Sequence, residues 1–409
     1  MSKKNFALWG LPEEVKFCKK CVISNQRPNS VVEMKNQNIK KETISFNKNG
    51  ICSACEYASE KKEINWKKRE EILFNLLEPY RSNDGSYDVL VPSSGGKDSA
   101  FQAHILKYKY KMNPLAVTWA PNMFTRAGWL NFNNLSRIGG IDSFLYTPNG
   151  KLHSYLTKLA FVNLGHPFQP FIHGQKIIGP KLAEKFGIKL IMYGENQAEY
   201  GNPIDNNEDP FMEPSFFTID DPKEMIMGGK KVGDMIKDTE FDYNEFQAYI
   251  PPTKETIKEK EIKVTYLGFF EKWDPQECYY YAVDKTGFMP AYERSIGTYS
   301  RYTEIDDKIV PFHFYMTYIK FGYGRATEDA AQEVRNGKIT RDEAAYLIKK
   351  FDHEFPKKYV DEFCEYIGIS LSEFDNVIDT FRSPHLWVKN NGEWKLRHNV
   401  NKTGINDMQ

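Results

Sequence analysis

Residues Ser94-Gly95-Gly96-Lys97-Asp98-Ser99 lie between an apolar run, Tyr87-Asp88-Val89-Leu90-Val91, and a stretch with helical spacing. Their types suit one kind of chemistry, the grip of an anion. Two glycines let the main chain approach a ligand closely and take up positive φ. Successive N–H groups in such a loop, at the start of a helix, face phosphate oxygens. Lys97 and the hydroxyls of Ser94 and Ser99 add charge and directed donors. The spacing is not that of G-x-x-x-x-G-K-[ST], which occurs nowhere in the chain. A plain Gly-rich turn between strand and helix is the bland alternative.

A second cluster has metal chemistry. Of six cysteines, four fall in two pairs, Cys18-x-x-Cys21 and Cys52-x-x-Cys55. Four thiolates can close a tetrahedron around Zn²⁺. Residues 22–51 between the pairs exceed the commonest spacing, and a β-hairpin can fill them. With four protein sulfurs the site has no open position, so it is expected to be structural. A redox motif competes, though it ordinarily uses one pair. Cys278 and Cys364 stand alone in aromatic-rich segments, as core residues do.

Gly194, Glu195, Asn196 and Glu199 follow the apolar run 188–193 and are expected to reach the same crevice as the Ser94–Ser99 loop. Glu195 and Glu199 share a face if a helix begins there. They can bind metal, take a proton or hold hydroxyls. His166 and His173 flank an aromatic, Pro-containing loop and can act as acid or base near neutral pH, or simply pack. Arg301, Lys320 and Arg325 can hold phosphate or carboxylate groups. Asp306-Asp307 is either a metal pair or a solvated turn.

These residues need a scaffold. The chain has 409 residues, with Lys+Arg and Asp+Glu both totalling 55. That is length for two or three domains and no net field to draw in nucleic acid. A hydrophobic content of 41% indicates a folded protein. No apolar run approaches the ~20 residues of a membrane span. The start, Met1-Ser2-Lys3-Lys4, lacks a secretory pattern. A cytoplasmic location is therefore expected.

From Tyr87 to about Gly201 apolar strands alternate with helices. Strands are predicted at 87–92, 114–119, 143–147 and 188–193, helices near 98–110, 128–138, 151–163 and 174–186. This is the pattern of an α/β fold, a parallel sheet with helices on both faces. The 93–99 loop would lie at the carboxyl end of the sheet, where such folds bind ligands. Thr118 and Trp119, ending the second strand, are placed to border adenine and ribose; Trp119 can equally be core. Residues 202–260, with acidic clusters such as Asp205–Asp209, read as an insertion, a lid or a surface excursion. A further strand is predicted at 263–269, and Asp274-Pro275-Gln276-Glu277 is a helix start. Beyond 308 the chain reads as helical, with capping boxes at Thr340–Glu343 and Ser370–Glu373 and a hairpin turning at Asn390-Asn391-Gly392. Expected units are a zinc-ribbon module with linker helix (1–80), the α/β domain (81–300) and a mainly helical region (301–409).

The Ser94–Ser99 motif resembles the SGGxDS pyrophosphate loop (PP-loop) of ATP pyrophosphatases. With the knuckles before it, longer segments are similar to the N-acetyl sugar amidotransferases of bacterial surface-polysaccharide and flagellin-glycan biosynthesis. These are Val117–Pro121, Phe144–Gly150, His166–Phe171, Tyr193–Gly201 and Lys320–Thr327. The resemblance runs from Cys18 to about residue 400. It implies conversion of an acetamido group to an acetamidino group: AMP is transferred from ATP to the amide oxygen, and ammonia then displaces it. Ser94 to Ser99, with Lys97, would hold the β,γ-phosphates. Asp98 would help bind Mg²⁺, which takes few protein carboxylates, or else cap the helix. Lys97, Asp98, Ser99, Glu195, Asn196 and Glu199 are the implied catalytic set.

The chain shows no N-terminal cysteine nucleophile and no glutaminase elbow. The resemblance implies ammonia-supplying partners like the glutaminase and cyclase pair of histidine biosynthesis, and an N-acetylated sugar substrate, nucleotide-linked or a nonulosonic acid. A PP-loop enzyme that thiolates tRNA is the rival; it would be expected to carry a basic stripe.

Overall fold

The computed structural model describes residues 6–36, 40–202 and 209–402. Its centre is a parallel sheet of five strands: β1 (Val89–Pro92), β2 (Pro114–Trp119), β3 (Asp142–Tyr146), β4 (Leu190–Tyr193) and an edge strand, Lys263–Tyr266. The spatial order is β3, β2, β1, β4, edge strand. The run Val89–Val91 is buried on both sides, as a parallel strand covered by helices requires. Alternation sends Val89 and Val91 to one core with Ala103, Leu106 and Met192. Leu90 goes to the other, with Leu115, Ile178 and Ile191. Helices Lys97–Tyr108 and Pro275–Thr286 cover the first face; Gly150–Leu159 and Gln169–Phe186 cover the second.

The chain runs outward from β1 to β3 and then returns to the far side of β1 as β4. That reversal opens a crevice beyond the carboxyl ends of β1 and β4. The loops 93–96 and 194–196 leave from those two ends.

The α/β fold and its strands are as expected, with three local differences. The edge strand ends at Tyr266 rather than 269: Gly268 N donates to Gly194 O at 2.8 Å, and Leu267–Phe270 turns helical. The helix expected at 174 starts at Gln169, with Pro170 in its first turn, where a missing N–H costs nothing. The expected insertion, 202–260, is neither lid nor surface excursion over its described residues, 202 and 209–260. It buries Phe217, Met225, Met227, Phe246, Tyr249 and Ile257 in the core of the second face. The acidic residues Asp205–Glu208 lie outside the described residues.

The C-terminal region is helical, and both capping boxes form. Asp274 accepts from Gln276 N at 2.9 Å, starting its helix as expected. Strands Trp387–Asn390 and Glu393–Leu396 make a hairpin. Its two linking residues, Asn391 and Gly392, take φ of 50° and 87°, as a type I′ turn demands. The cysteine module shares its apolar core with Ala330, Ala331, Ala344 and Ala345 of the C-terminal helices.

Candidate active site and metal centre

The Ser94–Ser99 motif follows β1 directly. Gly95 has φ +79°, and a Cβ there would come within 2.6 Å of the Phe132 backbone. Only glycine fits. Ser93 Oγ accepts from Gly95 N at 3.1 Å and donates to Ser99 Oγ at 2.9 Å. Ser99 Oγ donates to Gly96 O at 3.1 Å. Gly96 is the N-cap of helix Lys97–Tyr108 and offers no side chain to cap it. The first-turn amides therefore lack a side-chain acceptor, which is the state an anion site needs.

Lys97 is buried, with Nζ 2.5 Å from Asp98 Oδ2. Burial works against its charge, yet the Asp98 and Glu195 carboxylates hold its pKa above the ordinary lysine value. Asp98 Oδ1 is buried and has no hydrogen-bond partner among the described residues. Glu195, at the end of β4, faces the same cleft. Burial and the Asp98 charge push its carboxyl up to about 7, against the pull of Lys97 and Tyr200. Such a group can take or give a proton at neutral pH.

These residues open into a cleft of about 610 Å³. Its other walls come from far along the chain: Arg27–Glu33 on one side, Tyr302–Asp306 and helices Val310–Phe321 and Arg325–Arg335 on the other. Arg325 is clamped, with Nη1 2.7 Å from Glu304 Oε1 and Nε 2.9 Å from Asp329 Oδ1. A Cβ on Gly128 would lie 2.4 Å from Asp306 Cα, so helix Arg126–Arg137 seats directly on the 304–308 loop. Asp306 hydrogen-bonds Ser94, and burial raises its pKa. Asp98, Glu195, Glu304, Asp306, Glu328 and Asp329 share this cleft with the cations of Arg27, Lys97 and Arg325. A triphosphate here needs a divalent cation, and the orphaned Asp98 oxygen is an oxygen donor of the kind Mg²⁺ takes.

The structure separates the remaining candidates. Ser94, Gly95, Gly96, Lys97, Asp98 and Glu195 line the cleft; Ser99 sits behind, bracing the loop. Glu199 is turned away: it forms a buried ion pair with Lys61, which also donates to Trp273 O at 2.6 Å. Asn196 Oδ1 accepts from Ala198 N at 3.2 Å and caps the short helix Gln197–Tyr200. That 3₁₀ turn is why Glu195 and Glu199 do not share a face. Gly194 is a packing glycine, since a Cβ would meet the Trp273 ring at 2.7 Å. Thr118 and Trp119 do not line the cleft. Trp119 is buried, stacks on Tyr146 at 5.4 Å and presses so closely on Gly174 that a Cβ would come within 2.2 Å.

His166 lines the cleft, whereas His173 is core, its Nε2 2.6 Å from Tyr249 O. Lys320 and Arg325 line it; Arg301 instead donates to Ala291 O at 2.9 Å on the surface. Asp306 and Asp307 do not act as a pair: Asp307 Oδ1 accepts from Ile309 N at 2.8 Å at a helix start. Arg27, Glu33, Tyr200, Glu304, His313 and Asp329 were not singled out by the sequence. Tyr200 lies within the Tyr193–Gly201 segment but was given no role there; the other five sit in no motif and reach the cleft through long-range packing.

The four cysteines meet. Their sulfurs lie within 4.8 Å of one another, with Cys18 to Cys55 at 3.9 Å and Cys21 to Cys52 at 3.7 Å. A tetrahedral Zn–S₄ centre has edges of about 3.8 Å, given Zn–S bonds of about 2.3 Å. All four are buried, and N–H groups of Lys20 and Cys52 point at Cys18 Sγ, each at 3.4 Å. The set can hold a metal ion and leaves it no open position.

Residues 296–401, which supply the Tyr302–Asp306 wall and both helices of the cleft, match the family model described as LPS biosynthesis protein WbpG-like, C-terminal domain. This region is similar to an LPS biosynthesis protein. An uncharacterized protein of Methanocaldococcus jannaschii is 35% identical over 85 residues, 19% of this chain and 27% of that protein. The chain thus spans little more than a quarter of the curated relative it matches. Among the described residues no helix is long and apolar enough to cross a membrane.

Proposed function

We propose that the protein is an ATP-dependent amidotransferase of surface-polysaccharide biosynthesis, converting an acetamido group of a sugar to acetamidino. One observation carries the reading: the Ser94–Asp98 loop and Glu195 open into the same cleft as the LPS-biosynthesis-like region. Bound ATP would supply an adenylyl group to the amide oxygen, with pyrophosphate as leaving group. The uncapped amides of the helix Lys97–Tyr108 and the Lys97 ammonium hold the phosphates. Asp98 holds Mg²⁺, and Gly95 lets the backbone close on the ligand. Glu195 accepts a proton from the incoming ammonia as it adds to the activated carbon and AMP departs. Zinc in the four-cysteine site is structural.

Ammonia comes from a separate glutaminase-type subunit with a cyclase-like partner. The test is mass spectrometry of three acetamido probes, UDP-N-acetylglucosamine, UDP-N-acetylglucosaminuronic acid and N-acetylneuraminic acid, each with ATP, Mg²⁺ and ammonium. The expected product is about one mass unit lighter, with AMP in equal amount. ADP in place of AMP, or no change in any of the three, overturns the reading.

A further inference from the structure

We infer that His166, held by Glu33, is the catalytic base that takes the amide proton of an N-acylated sugar while its oxygen is adenylated; this rests on the activity proposed above. The reaction has two proton transfers. First, an O–P bond forms from the amide oxygen, the bond to pyrophosphate breaks, and the amide nitrogen must lose its N–H as C=N forms. Second, a C–N bond forms from ammonia, the C–O bond to AMP breaks, and the added nitrogen gives up a proton. Of the two protons released, the basic amidine takes up one and the departing pyrophosphate the other. Glu195, beside the phosphate loop, suits the second transfer. The first needs a base on another wall, facing the sugar.

His166 stands on such a wall. Its Nε2 lies 3.9 Å from Glu33 Oε1, an ion-pair separation. The His166 ring lines the cleft. Glu33 is buried and fixed from behind, its Oε2 accepting from Asn36 Nδ2 at 3.2 Å. Burial works against the Glu33 charge, yet His166, Lys176 and Asn36 hold its pKa down at about 2. A carboxylate held beside Nε2 can steady the charge a histidine gains when it accepts a proton, as the acid of a base-orienting pair does. The His313 ring sits 4.8 Å from that of His166, and burial keeps it uncharged. Phe168 and Phe171, stacked at 4.5 Å, give an apolar face suited to an acetyl methyl group. The charged groups around this wall are Glu33, Lys176, Lys41, Lys320 and Arg325, with His313 as the other titratable ring.

Two experiments test this on the full-length protein. NMR of the His166 ring needs no substrate: Glu33→Gln should shift its ring nitrogen resonances, as loss of a neighbouring carboxylate does. An unchanged ring spectrum overturns the pairing. With whichever of the three probe sugars turns over, His166→Ala should lose about 10²-fold in kcat. It should hold its KM for ATP and recover about tenfold or more with added imidazole. A kcat near wild type, or a loss that imidazole does not restore, overturns the base assignment. A wild-type protein that yields no AMP from any probe rejects the activity itself, a failure distinct from an unchanged His166 ring spectrum.

Discussion

At the residue scale the cleft shows how burial makes ordinary side chains reactive. Glu195 loses water and faces Asp98, so its carboxyl is pushed up from 4.5 to about 7. The sign follows: a carboxyl whose folded pKa is raised contributes stability below pH 4.5 that is lost as pH rises through 7. Glu195→Gln should therefore gain stability relative to wild type across that window, read as melting temperature against pH. The same variant should lose the rise in kcat near pH 7 and about 10²-fold in rate. A rise that persists would place the base elsewhere. Gly95→Ala tests the loop itself. Positive φ and a contact of 2.6 Å with backbone leave no room for a methyl. ATP binding by calorimetry should be lost while the far-UV spectrum stays native.

Single residues act here because elements hold them. Helix Arg325–Arg335 is anchored at its start by Asp352, which accepts from Gly324 N and Thr327 N, both at 2.9 Å. Asp352→Ala leaves two buried amides without partners and should cost about 1–3 kcal/mol each, read by urea denaturation. Arg325, in the first turn of that helix, should then hold its cleft partners less firmly. The loop after β4 is tied down in the same manner through the buried Lys61–Glu199 pair. Lys61→Ala should destabilise by roughly 3–5 kcal/mol, since it strands a buried carboxylate. An unchanged melting temperature would show that Glu199 is not the brace described.

Across the whole molecule the cysteine module joins the pieces. Arg341 Nε donates to Cys21 O at 3.0 Å, and Ser53 Oγ donates to Gly201 O at 2.9 Å. Arg27 of the same N-terminal segment lies 3.4 Å from Glu328. A metal ion bound at the four sulfurs would thus stiffen the loop carrying Glu195 and the C-terminal helices together. Cys18→Ser should lower metal content and melting temperature and speed amide exchange in residues 194–202. Unchanged metal stoichiometry would exclude the centre.

Local order decided what could be read without coordinates. The apolar run Val89–Val91, the glycines of the Ser94–Ser99 motif, the CxxC spacing, the capping boxes and the Asn391-Gly392 turn all act within a few residues. Their outcome is set by backbone sterics and nearest neighbours, and the parallel sheet followed from their alternation. Tertiary packing decided the rest. Which of Glu195 and Glu199 meets the cleft depends on a partner lysine far upstream, at position 61, and Trp119 was drawn into the core by Gly174. The core role of residues 209–260 and the meeting of Glu33, His166 and His313 likewise come from contacts between distant segments. No window of sequence carries the distance between two of its own remote parts; only the closed fold does.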